Sequence, residues 1–184
     1  MKMAVKGKHK GVDTDIHATS EGLLRVQAVS ESELEDASSM GRAFCWNSAD
    51  TDIDIGDTRL FIKNTSDKFI KLQRAIFTSS NVACKWSIGL GAATTTPTGT
   101  AITAVNMNEV YSTNTYDYLA FDDETAVADA TLMFQIATPL ALDSRVVPLD
   151  GIILGKNQYL QINQITESTS GRVTVFGHFE DELI

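Results

Sequence analysis

Hydrophobic and polar residues alternate along most of this chain with a period of two. The clearest run is VACKWSIGL, where Val82, Cys84, Trp86, Ile88 and Leu90 interleave with Ala83, Lys85, Ser87 and Gly89. Successive strand side chains point to opposite faces, so the run predicts a strand with one buried and one wet face. KFIKLQRAIFTS repeats the pattern with Ile70, Leu72 and Ile76 on one face. Further candidate strands are EGLLRVQAVS (residues 21–30), RAFCW, the middle of TDIDIGDTRLFIKNTSDK between two turns, AITAVNM, YDYLAF, TLMFQIA, ILGKNQYLQINQI and GRVTVFGHFE. Turn-forming Gly, Asn, Asp, Ser and Thr separate them, which gives about nine candidate strands. One stretch departs from this rhythm. In SESELEDASSM, Ser30 and Glu33 have capping-box spacing, and Leu34, Ala37 and Met40 recur every third residue. That predicts a short helix ending near Gly41.

Many short, half-buried strands with little helix predict an all-β jelly roll or β-sandwich of about eight or nine strands. No βαβ alternation supports a doubly wound sheet, and no internal repeat of fixed period is visible. At 184 residues the chain is expected to be one domain able to bury a full core without covalent staples. Residues 21–184 read as the sandwich. Residues 1–20 lack sustained periodicity and read as an extended arm, which could reach ~60 Å.

Charge sharpens that division. The net charge is −9, yet the chain opens MKMAVKGKHKG, with Lys2, Lys6, Lys8 and Lys10 and no acid before Asp13. The rest carries eleven basic against twenty-four acidic residues. Such an acidic body repels phosphate, so direct nucleic-acid binding is not expected. No apolar run approaches the ~20 residues that cross a bilayer, and no apolar signal core follows the first lysines. The expectation is therefore no membrane and a cytosol-like place of synthesis. Ordering an arm costs about 1–2 kcal/mol per residue in backbone entropy, so a basic arm with a fixed shape calls for a surface beneath it. Lys2, Lys6, Lys8 and Lys10 are the candidate partner-binding residues.

Candidate chemistry is sparse. Cys45 and Cys84 lie beside or near tryptophan (CWN, CKW) in apolar stretches and read as small buried thiols; a disulfide requires neighbouring strands. DTDIDIGD (residues 50–57) starts like a calcium loop, but Ile55 holds the glycine position and Phe61 the final glutamate position. It reads as a solvated strand edge. DDE (122–124) and EDE (180–182) read as surface charge. His9 and His17 fall in the arm, and His178 reads as a packed or rim histidine on the last strand. No HExxH or GxSxG occurs, and GLGAA is followed by TTTPTGT where a phosphate-binding helix would begin. No catalytic residue, metal site or cofactor is expected.

The segments DTRLFIKNTSDKFIKLQRAIFTSS, PTGTAITAVNMN and PLDGIILGKNQYLQINQIT resemble the head decoration, or cement, proteins of tailed bacteriophages. The resemblance spans roughly residues 22–180 and rests on strand succession and phrases such as IKNTS and LDGIILGKN. It implies a jelly-roll protein, commonly a homotrimer, on the capsid exterior. There such proteins clamp adjacent major capsid subunits after assembly in the host cytoplasm. It carries over no catalytic residue. Three other readings share the fold. A tail-fibre or baseplate module would bind glycan, with Tyr111, Tyr116 and Tyr118 as its aromatic candidates. A capsid shell component would tile the particle itself. A cupin-type enzyme would need two or three barrel histidines, where only His178 stands.

Overall fold

The computed structural model describes residues 4–9, 12–17, 33–48, 58–79, 84–92, 98–113, 115–122, 130–138, 144–165 and 171–181. The chain divides into two compact units, residues 1–32 and 33–184.

In the first unit, β1 (Ala4–His9) and β2 (Val12–His17) pair antiparallel. Both strands fall within the stretch read as an extended arm, residues 1–20. The sequence signal for the pairing is VDTDIH, whose two-residue period is carried by Val12 and Ile16 against Asp13 and Asp15.

The second unit opens with α1 (Glu33–Ser39), close to the expected helix. Glu33, Glu35 and Asp36 occupy its first turn, where the helix dipole favours acids. It stops at Gly41, whose φ of 68° suits a residue without a side chain. The Gly41 N–H donates to the Ser38 carbonyl at 2.9 Å and the Arg42 N–H to the Ala37 carbonyl at 2.8 Å. These bonds satisfy carbonyls that the helix end would otherwise strand.

Twelve strands follow: β3 (Ala43–Asn47), β4 (Thr58–Asn64), β5 (Phe69–Ser79), β6 (Cys84–Ala92), β7 (Thr100–Ala101), β8 (Val105–Asn106), β9 (Tyr118–Asp122), β10 (Thr131–Thr138), β11 (Ser144–Pro148), β12 (Ile153–Leu154), β13 (Gln158–Gln164) and β14 (Gly171–Glu180). One antiparallel sheet runs β10-β6-β13-β4-β9-β7. The other runs β11-β5-β14-β3-β8, with β12 also paired to β5. Aromatic contacts join the two sheets: Phe77 of β5 lies 5.4 Å from Trp86 of β6, and Trp46 of β3 meets Tyr118 of β9 edge-on at 5.8 Å. Leu60, Ile62, Ile70, Leu72, Ile88, Leu160 and Ile162 fill the space around them. Each such side chain, fully buried, contributes about 1.5–3 kcal/mol. The all-β sandwich with one short helix is the architecture expected from the periodicity.

Several local readings changed. AITAVNM, read as one strand, supplies the two-residue strands β7 and β8, one in each sheet, so the chain crosses between sheets at residues 102–104. SRVVP forms β11 although its adjacent valines break the alternation: Val147 is buried and Val146 exposed. All seven residues of β4 are buried, including Arg59 and Lys63. The 21–30 strand, Ser30 and DTDIDIGD lie outside the described residues.

Candidate functional site

Two of the four candidate lysines fall within the described residues. Lys6 stands opposite Asp15 in the β1–β2 ladder, and Lys8 opposite Asp13. Along the two strands these four positions alternate with Val5, Gly7, Thr14 and Ile16. His9 pairs with Val12 and His17 with Ala4. Lys2 and Lys10 lie outside the described residues.

In the sandwich a group of ionisable side chains gathers where α1 packs on β14 and β3. His178 and Glu180 stand two apart on β14, and Lys71 of β5 is the direct ladder partner of His178. His178 Nε2 lies 3.2 Å from Glu180 Oε1, and Lys71 Nζ is 2.8 Å from Glu180 Oε2 and 3.9 Å from Glu33 Oε2. His178 is fully buried, with no hydrogen-bond partner at Nδ1 among the described residues. Burial pushes its pKa below the ordinary value, more strongly than hydrogen bonding and charge from Glu180 raise it. Burial raises the pKa of Glu180, but hydrogen bonds from Lys71 and then His178 outweigh this and hold it low.

Glu33, His178 and Glu180 could each turn one ligand atom toward a metal ion, and those atoms lie within 4.8 Å of one another. The ammonium of Lys71 contacts both carboxylates, so the group already contains its own cation. A cleft of about 430 Å³ lies beside it, lined by Lys71, Gln73, Asp150 and Ile153 among others. Among the described residues lining it, none pairs a nucleophile with a base.

The remaining sequence candidates separate. The DDE run is not all surface charge: Asp122 is buried, 3.8 Å from the buried guanidinium of Arg59. A register slip between Ile162 and Asn163 opposite β4 accompanies this, and such bulges re-aim side chains. Arg59 Nε also donates to Gln164 Oε1 at 3.5 Å. In the EDE run, Asp181 pairs with Lys68 at 2.7 Å, Glu180 belongs to the His178 group, and Glu182 lies outside the described residues. Cys45 and Cys84 are free thiols in strands of different sheets; Cys84 is buried and Cys45 half-buried.

The tyrosines do not line up as a platform. Tyr116 stacks on Phe179 with ring centroids 4.3 Å apart, and Tyr118 packs on Trp46 while its hydroxyl accepts from the Ala104 N–H at 2.7 Å. Only Tyr111 is exposed among the three. A groove of about 370 Å³ runs over Tyr116, Tyr118, Ile102 and Leu119.

No protein-family model matches the chain, and neither does any curated protein or solved structure. No described helix is long and apolar enough to cross a membrane.

Proposed function

We propose that this chain is a non-enzymatic virion protein that decorates the exterior of a tailed-phage head and stabilises neighbouring capsid subunits. Its partners on this reading are the major capsid protein and further copies of itself. Nucleic acid and membrane have no part in it, and the protein is assembled in the host cytoplasm. The observation that carries the reading is the division of labour along the chain. An acidic sandwich with an apolar core is preceded in the chain by a separate compact unit whose first ten residues hold four of the fifteen basic residues and no acid. That unit is the capsid-contacting element, and Lys2, Lys6, Lys8 and Lys10 are its contact residues. Each exposed lysine contact contributes only ~0–1 kcal/mol, so holding a particle relies on many copies acting together. The packing of Tyr116 and Tyr118 against the core removes the flat aromatic surface that a glycan-binding tail module would use.

The test is co-sedimentation of purified protein with tailed-phage heads stripped of their surface proteins. The reading expects saturable pelleting at a fixed copy number per head, without added metal or cofactor. Failure to pellet with heads, together with binding on a glycan array, would overturn it.

A further inference from the structure

Among the described residues the two sheets present four edges, and three are visibly protected against strand addition. β7 and β8 are two residues long. β11 carries Arg145 and ends at Pro148, which has no N–H to offer. The fourth edge, β10, is different. It is eight residues long, and its sequence TLMFQIAT holds no charge, proline or glycine. Leu132 is 56% and Met133 45% exposed on it, and Val146 on β11 is 58% exposed. The two strands lie at the same margin of the sandwich, because Arg145 Nη1 donates to the Ala137 carbonyl at 2.8 Å. The register of β10 against β6 slips between Leu132 and Phe134, then runs regularly from Phe134 to Thr138. That slip and the Arg145 bond to the Ala137 carbonyl each blunt part of the edge, but what remains is long, uncharged and partly apolar, a template for another strand.

We infer that β10 pairs antiparallel with β10 of a second copy, joining two six-stranded sheets across a two-fold axis. Charge selects this occupant. The chain carries −9, so copies repel wherever they present their acids, whereas Arg145 is the only charge along β10 and β11. An acidic partner would be repelled by the body, and a basic one drawn elsewhere on it. An identical neutral edge avoids both, and its backbone donors and acceptors match their own copy in antiparallel array. The inference stands apart from the capsid reading and departs from the trimer implied by the resemblance.

Sedimentation velocity on the full chain over a wide concentration range tests it, with hydrogen exchange as the second readout. The pairing expects a monomer–dimer equilibrium, and exchange at Gln135 and Ala137 that slows as the dimer fills. Met133→Lys and Gln135→Lys, both at exposed positions, should each weaken the dimer by about tenfold or more, since like charges then meet across the axis. A chain that stays monomeric at the highest concentration would overturn the pairing. So would a dimer or trimer whose β10 amides exchange at the monomer rate. The exchange readout uses the unaltered chain and is decisive even if a variant misfolds.

Discussion

In the sandwich, β14 and β5 share a ten-pair ladder backed by Phe77, Val175 and Phe179, all fully buried. In the N-terminal unit, β1 and β2 share a six-pair ladder in which Lys6 meets Asp15 and Lys8 meets Asp13. The first rests on burial at about 1.5–3 kcal/mol per large side chain. The second is a two-stranded ladder, an element that on its own is marginally stable at best. One region has a core of its own, and on the proposed function the other gains most from a surface it meets. Substitutions in the two should therefore have opposite signatures: large losses of stability in the sandwich, and losses of binding alone in the hairpin.

The largest effect belongs to the aromatic core. Trp46→Ala should destabilise the protein by about 3–5 kcal/mol in urea unfolding, since Trp46 contacts Phe44, Tyr118 and Phe179. Asp122→Ala should follow at about 3 kcal/mol, because it leaves the buried Arg59 charge without this carboxylate. Should Asp122→Ala prove neutral by the same measurement, the pair would not be the buried contact described.

A smaller effect should appear on acidification. The folded His178 has a lowered pKa, so below about 6.5 the unfolded chain binds a proton that the folded chain resists. Stability from this group is complete above that pH and declines as the pH falls below it, by at most about 1.4 kcal/mol per unit. The lowered pKa of Glu180 and Asp181 adds a further loss below about 4.5. His178→Gln should flatten the first decline and leave the second. The smallest stability effect belongs to the hairpin: Lys6→Glu with Lys8→Glu should shift thermal unfolding of the sandwich by no more than about 0.5 kcal/mol.

Local patterns were legible where one residue's neighbours decide its fate. The alternation of VACKWSIGL predicted β6, in which Cys84, Trp86 and Ile88 are buried and Lys85 exposed. Likewise the three-residue recurrence before Gly41 predicted α1. Features decided by distant pairing were not legible. Lys71 and His178 are ladder partners across more than a hundred residues, so sequence showed a histidine near acids but not the ammonium between them. Asp122 looked like surface charge in DDE because Arg59, its partner, comes from β4 beside a register slip. The pairing within the first seventeen residues was hidden by the lysines, whose charge outweighed the alternation of VDTDIH.

The central claim is that the lysine-bearing unit makes the capsid contact while the sandwich folds without it. Deleting residues 1–19 and comparing co-sedimentation with stripped heads tests it most directly. The account predicts a truncated protein that unfolds like the full chain but stays in the supernatant. A truncated protein that pellets with heads as tightly as the full chain would contradict it.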